Sequence, residues 1–250
     1  MFDTSTIAVQ LYSVRDELAQ DFPRTLRKLA SYGYGAVELA RFPAGVTVEA
    51  AKSLFDDLDI AVTGAHSPLP LGVDRQAILD NVLPMQAEYL VCPFLDPDNY
   101  FQNLDGIKTA CEMLNEANVV VKEAGLKLAY HNHWFEMEMV DGKLAYQHML
   151  DHLDDDIYFE LDTYWAKVAG LDPVQVMADL SGRLPLLHLK DGPAENNVDG
   201  MVALGTGNMD IPAILEASQS QWHIVELDRC DTDMLTAIKD SHSYLMELKA

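Results

Sequence analysis

A chain of 250 residues with 49% apolar side chains has material for one large buried core. Its formal net charge of −23 repels phosphate backbones and anionic lipid, which disfavours nucleic-acid and membrane-surface partners and leaves a small neutral or metal-bound ligand open. No apolar run approaches the roughly 20 residues of a membrane span. The opening residues 1–6 carry no basic leader. Three widely spaced cysteines (Cys92, Cys111, Cys230), none in a CxxC pair, point to a reducing, cytoplasmic compartment rather than to a disulfide framework or a thiolate zinc site.

Residues 7–12 form an extended, apolar-rich run. From 16 to 32 the apolar positions Leu18, Phe22, Leu26, Leu29 and Ala30 recur on one helical face, and Gly33 and Gly35 punctuate the end. Residues 36–39 read as a second strand, and Thr47 caps a helix reaching Leu58. Strand three spans 60–66 and is stopped by Ser67-Pro68; a helix over 74–85 follows. Strand four, 89–92, ends at Pro93, and a long helix over 101–124 is stopped by Gly125. Strand five is 126–131, Gly142 marks a turn, and 144–153 is helical. Strand six covers 157–162, and Asp172-Pro173 opens a helix through Leu180. Strand seven is 184–190, followed by a loop holding Gly200, Gly205 and Gly207 and a helix over 211–219. Strand eight is 222–227, and the last helix covers 232–248.

Eight such alternations without a linker predict a parallel sheet with crossover helices, and their number and length predict a single (β/α)8 TIM barrel over 1–250. The alternative, an open doubly wound sheet, lacks its GxGxxG after strand one; Gly33-Tyr34-Gly35 follows a helix.

Chemistry in such a barrel collects at the C-terminal strand ends. Those ends carry Glu38 on strand two and His66 on strand three. Strand five brings His131, His133 and Glu136, and strand six brings Asp162. Strand seven brings His188 and Lys190, and strand eight Glu226 and Asp228. Period-two alternation puts His188 with Lys190, Glu226 with Asp228, and His131 with His133 on common faces. Each residue alone has a plain structural role: Asp162 as a helix cap, His188 as hydrogen-bonded scaffolding, Glu226 paired with Arg229, Lys190 paired with Asp191 or another acid. Together they place costly groups at one mouth, where a divalent cation would satisfy them. Mixed carboxylate and imidazole donors suit Mn²⁺, Zn²⁺, Co²⁺ or Fe²⁺ better than Ca²⁺, with Mg²⁺ a further candidate.

Several stretches then match a known pattern. They are Val9-Gln10-Leu11-Tyr12-Ser13 with Arg15, Gly35 to Leu39, Tyr130-His131-Asn132-His133 with Phe135-Glu136, and Leu161-Asp162-Thr163-Tyr164-Trp165. His188-Leu189-Lys190-Asp191, Gly205-Thr206-Gly207 with Asp210, and Val225-Glu226-Leu227-Asp228 complete the set. With these residues the chain resembles the sugar phosphate isomerase/epimerase family of xylose isomerase-like barrels.

The resemblance implies a divalent metal held by Asp162, His188 and Glu226, with a fourth ligand from strand five. Glu136 is the first candidate for that place and His131 or His133 the next. It implies proton abstraction beside a carbonyl through an enediolate, with Glu136 and Glu226 as candidate bases. Glu38, His66, His131, His133, Trp165 and Lys190 are expected around a small-molecule sugar. The expected activity is that of an isomerase or epimerase. The alternative is a lyase or dehydratase on an inosose or 3-keto-glycoside. An endonuclease-like or non-catalytic sugar-binding barrel stands behind both. A homodimer is common in such barrels, and the loop 191–207 is a candidate cover for the site. No arginine cluster or P-loop suggests a phosphate cradle.

Overall fold

Apolar strands and amphipathic helices alternate until the sheet closes on itself. The computed structural model describes residues 3–248. Met1 and Phe2, within the stretch read as lacking a leader, lie outside the described residues, as do Lys249 and Ala250. The strands are β1 (Ile7–Gln10), β2 (Ala36–Leu39), β3 (Ala61–His66), β4 (Tyr89–Cys92), β5 (Lys127–His131), β6 (Met139–Val140), β7 (Lys143–Leu144), β8 (Tyr158–Asp162), β9 (Leu186–Leu189) and β10 (Trp222–Val225). β6 and β7 form a small antiparallel hairpin, so strands six, seven and eight of the barrel are β8, β9 and β10. The closed order is β1-β10-β9-β8-β5-β4-β3-β2, and each neighbouring pair is parallel.

The helices are α1 (Arg15–Gln20), α2 (Phe22–Tyr32), α3 (Val48–Asp57), α4 (Arg75–Val82), α5 (Pro97–Tyr100), α6 (Leu104–Glu123), α7 (Ala145–His152), α8 (Thr163–Val168), α9 (Pro173–Asp179), α10 (Ile211–Ala217) and α11 (Met234–Glu247). One expected helix is divided and another starts late. The run 16–32 breaks at Asp21, whose carboxylate caps α2 by accepting the Arg24 N–H. The run 101–124 begins later than expected because Asn103 caps α6 through the Gly106 N–H, leaving α5 as a separate turn. Among the described residues no helix is long and apolar enough to cross a membrane.

Alternation along each strand separates two kinds of interior. Outward side chains such as Val9, Val37, Leu90, Leu128, Leu161, Leu187 and Val225 pack under the helices in one large cluster. Inward side chains fill the lower barrel with Ala8, Ala36, Tyr89, Val91, Ala129, Leu186 and Ile224. Above that plug the same inward faces turn polar: Gln10, Glu38, His131, Glu160, Asp162 and His188 are all buried there. Burying such groups costs several kcal/mol each unless they are paired, so the apolar plug and helix contacts offset a polar upper barrel.

Candidate active site

Register brings the polar residues level. His131 of β5 is the Cα partner of Glu160 on β8, and Asp162 is the partner of His188 on β9. Glu226 follows directly on β10 and Glu38 lies within β2. Two layers result, with His188 between them. Its Nδ1 lies 2.7 Å from Glu226 Oε2, and its Nε2 lies 2.7 Å from Glu38 Oε2 and 3.2 Å from Glu160 Oε2.

In the outer layer the Lys190 ammonium, fully buried, lies 2.8 Å from Asp162 Oδ2, 2.8 Å from Glu226 Oε2 and 2.7 Å from Asp228 Oδ2. The pairing expected for Lys190 is thus with acids across the mouth rather than with its neighbour Asp191. Burial penalises the Lys190 charge, but Asp162, Asp228 and Glu226 together hold its pKa well above the usual value. Burial raises Asp162 to about 6 against the pull of Lys190 and His188. Burial opposes ionisation of Glu226, yet Lys190 and His188 keep its pKa well below the usual range. Asp162 also caps α8, its Oδ1 accepting the Tyr164 and Trp165 N–H groups at 2.9 and 3.0 Å. The cap and the site are one residue with two oxygens in two roles. Arg229 donates to Asn197 O instead of pairing with Glu226.

In the inner layer Glu160 Oε2 sits 2.7 Å from His66 Nε2, 3.1 Å from His131 Nδ1 and 3.2 Å from His188 Nε2. The His131 approach is off the hydrogen-bonding angle, so its Nδ1 has no hydrogen-bond partner, nor do Glu38 Oε1, Glu160 Oε1 and His133 Nδ1. Glu38 Oε2 accepts the Gln10 amide at 2.7 Å, and Gly64 leaves it room: a Cβ there would stand 2.8 Å from Glu38 Oε1. Burial alone would lower His66; the Glu38 and Glu160 carboxylates overcome it and hold the ring up at about 10. Burial drives His131 well below its usual value, helped by the neighbouring imidazoles, and takes His133 down to about 3.

A cavity of about 540 Å³ opens above these layers. Its wall includes Tyr12, Arg41, His66, Phe94, His131, His133, Glu226 and Asp228. Glu38, Trp165 and Lys190, expected beside a substrate, are fully or almost fully buried behind that wall. Lys190 lies over the Trp165 ring at 5.4 Å. The loop 191–207 contributes no wall residue.

Glu136 stands elsewhere. The chain turns after β5, and the short 3-10 turn Phe135–Met137 folds the carboxylate back behind the strand. There Oε1 accepts the Tyr130 hydroxyl at 2.5 Å and Oε2 accepts the His133 N–H at 2.8 Å. Tyr130 faces the helix layer, opposite to His131, so Glu136 is not among the converging donors; burial raises it to about 8 against those two hydrogen bonds. The strand-five residue that lies beside Asp162, His188 and Glu226 is His131. Glu160, which sequence reasoning passed over, joins the cluster, and its signal was available: it lies two residues before Asp162 on the same inward face.

Two donor sets result, each with all its ligand atoms within 4.8 Å of one another: His131, Asp162, His188, Glu226, and His66, His131, Glu160, His188. Orphaned atoms in both, with nitrogen and oxygen donors together, fit a first-row divalent ion.

A sequence model of the xylose isomerase-like TIM barrel matches residues 26–228. An inosose dehydratase of Clostridium perfringens is 29% identical over 93 residues, 37% of this chain and 31% of that protein. The match therefore spans about a third of the curated relatives' length. A sugar phosphate isomerase/epimerase from Parabacteroides distasonis superposes with a TM-score of 0.80 at 25% identity, over 96% of this chain and 92% of that one. An L-ribulose 3-epimerase superposes with a TM-score of 0.73 at 14% identity, over 97% and 93% of the two chains, a likeness of fold.

Proposed function

The chain belongs to the xylose isomerase-like TIM barrel family, and on that premise we propose that it is an enzyme that moves a proton beside the carbonyl of a keto-sugar or polyol-derived substrate, with isomerisation or epimerisation as the outcome. One observation carries the reading. Acids and imidazoles from β2, β3, β5, β8, β9 and β10 converge at the C-terminal end of the barrel, beneath a cavity of about 540 Å³. That volume lies in the range of small-molecule sites.

Glu226 is the carboxylate placed for the base. It faces the cavity, and Lys190 and His188 keep it ionised. His66 and His131 come from β3 and β5, each three strands from β10 around the barrel, so they form the opposing wall. His133, neutral at working pH with an unpartnered Nδ1, is placed to hold a substrate hydroxyl. A proton returned to the other face of the same carbon epimerises; returned to the neighbouring carbon, it isomerises. A bound divalent ion, held by imidazole and carboxylate donors of this barrel end, supplies Lewis acidity to the carbonyl and enediolate oxygens. Asp162, His188 and Glu226 are the donors the resemblance points to, with His131 where Glu136 was expected.

A second reading is elimination: the local match to inosose dehydratase favours expulsion of a β-hydroxyl from the same enediolate. The test is solvent-proton exchange in D₂O, followed by NMR over a panel of keto-sugars and inososes, before and after chelation. Exchange without net elimination supports the first reading and an enone or dehydrated product the second. No exchange with any member by the metal-loaded protein would overturn both.

A further inference from the structure

The cavity above the acids does not end at its own wall. Five of its residues, Ala40, Arg41, His66, Ser67 and Pro68, also line a second cavity of about 750 Å³. This side cavity lies between helix α4 and the segment that joins β2 to α3. Leu39, Phe42, Val46 and Val48 bound it on one side, and Ile78 and Val82 of α4 on the other. Half-buried His66 stands at the junction of the two chambers. Either volume alone lies in the range of a complete small-molecule site, so the pair is larger than a lone monosaccharide ring requires.

Three observations say what chemistry the side cavity suits. Its wall is apolar and preformed. Phe42, Val46, Val48 and Ile78 are half-buried, each packed on the core, and Phe42 is held edge-on against Phe22 at 6.0 Å. A ligand that takes the rest of their surface out of water is bound favourably. Next, the side cavity has no unmet hydrogen bonds to offer. Among the described residues, none of the buried side-chain atoms without a hydrogen-bond partner lies on its wall, whereas Glu38, His131, His133 and Glu160 collect theirs at the catalytic end. Finally, it does not call for an anion. The α3 N-terminus reaches this wall at Val48 and Glu49, but Thr47 Oγ1 already accepts the Ala50 N–H at 3.2 Å and Glu49 stands in the first turn. A cap and an acid together satisfy that helix end. Apart from His66, the charged residues of the wall, Arg41, Glu49 and Asp80, are exposed at its rim.

We propose that the side cavity is a second subsite for an uncharged apolar substituent, an alkyl or aryl aglycone, so that the substrate is a sugar conjugate rather than a free sugar. The carbonyl-bearing ring lies above Glu226, and the substituent lies between α3 and α4. The shared residues place the linkage between the two parts beside Ser67 and Pro68, directly after β3 and across the mouth from Glu226 on the β10 side. The inference rests on the reading that the cavity over the acids holds a sugar ring. It holds whether that ring is isomerised, epimerised or dehydrated.

The test measures equilibrium binding of unreactive glycosides to the full chain with Mn²⁺ present: methyl, n-hexyl and phenyl β-D-glucopyranoside, by titration calorimetry. Wild type should bind the hexyl and phenyl compounds at least roughly tenfold more tightly than the methyl compound, a factor that two buried methylenes supply. Ile78→Trp, which fills the side cavity from α4, should cut that advantage to below about threefold. Val46→Gln repeats the test from the loop before α3 if Ile78→Trp misfolds, and melting curves identify a misfolded variant. Val119→Ser, on the exposed face of α6 and on the wall of neither cavity, should keep the wild-type ratio. Equal affinity for all three compounds in wild type, binding of none, or an advantage that survives in the folded side-cavity variants overturns the inference. An advantage that disappears as the chain self-associates with rising concentration gives the cavity to a second copy and also overturns it. The expected advantage without exchange of any substrate proton refutes the proposed function and leaves the subsite standing; proton exchange on free keto-sugars with no advantage for the conjugates does the reverse.

Discussion

Asp191 follows Lys190 in sequence, is fully buried, and gathers the loop after β9. Its Oδ1 accepts the N–H groups of Gly192 at 2.8 Å and Met209 at 3.0 Å; its Oδ2 accepts those of Gly205 at 2.8 Å and Gly207 at 3.1 Å. Asp191→Asn keeps the shape and converts one acceptor to a donor. Whichever way the amide turns, two backbone N–H groups lose their acceptor and face an NH₂. Hydrogen bonds to a charged acceptor contribute about 1.5–3 kcal/mol each, so two lost give roughly 3–6 kcal/mol, and a destabilisation of about 4 kcal/mol is expected. The loop is tied to the site: Met201 pairs with Cys230, and the Asp228 N–H points at Met201 Sδ at 3.2 Å. Loosening it shifts the acid that holds Lys190, so turnover should fall as well. Urea unfolding measures the first effect and limited proteolysis of 192–210 locates it. Gly207→Ala should copy the defect, because its Cβ would stand 2.3 Å from Asp191 Oδ1 and 2.4 Å from Gly192 N. A stability loss in Asp191→Asn below about 1 kcal/mol with unchanged cleavage would refute the reasoning.

Glu136→Gln should leave ion content and proton exchange near wild type while costing about 1–2 kcal/mol from the weakened bonds to Tyr130 and the His133 N–H; complete loss of the ion by the folded variant would return Glu136 to the ligand set. Cys92 and Cys111 are buried thiols pushed up to about 12, and Cys230 is partly exposed, so a disulfide reagent at pH 8 should titrate one thiol in the native protein and three after denaturation. More than one fast native thiol would contradict that burial. His223, at the opposite end of the barrel, is lowered by burial from 6.5 to about 4. The unfolded chain takes that proton first, so the stability present above pH 6.5 is lost as pH falls towards 4, by about 3 kcal/mol at most at 1.36 kcal/mol per pH unit. His223→Asn should flatten the urea midpoint between pH 7.5 and 4.5 relative to wild type, and an unchanged slope would count against it.

Period-two alternation made most of the site legible, and it failed where the strand stopped. Asp162, His188 and Glu226 lie in or directly after β8, β9 and β10, so counting by twos from apolar neighbours places them inward. The same count reaches Glu160, which lies one inward step below the strand end where ionisable groups are expected to gather. Glu136 is the converse case. β5 ends at His131, and after it the parity rule has no backbone to act on; the turn Phe135–Met137 points the carboxylate at Tyr130. The helix boundaries were misplaced for a local reason. Asp21 and Asn103 are side-chain caps inside apolar patterns that continue past them. α8 has six residues, too few for helical periodicity to register, and is started by Asp162, read from sequence as a ligand.

The two layers also bear on what the proposed enzyme accepts. Acids crowd this end of the barrel: Glu38, Glu160, Asp162, Glu226 and Asp228 all contribute. An enediolate formed above them adds negative charge to a region of low dielectric, where repulsion is strong. Lys190 does not offset it, because it stands behind Glu226 and is already shared by three acids. Positive charge on the facing wall sits on His66, whose ring Glu38 and Glu160 hold up at about 10, beside the neutral His131. The enediolate oxygens of the proposed reaction therefore turn towards β3 and β5, leaving the carbon acid facing Glu226 on β10. The same balance disfavours a phosphorylated substrate. Among the described residues Arg41 is the only lysine or arginine on the cavity wall, the His66 ring is already shared by Glu38 and Glu160, and the wall also carries Glu226 and Asp228. A neutral polyol with a carbonyl suits that field; a phosphate dianion would face two carboxylates with one guanidinium to meet it.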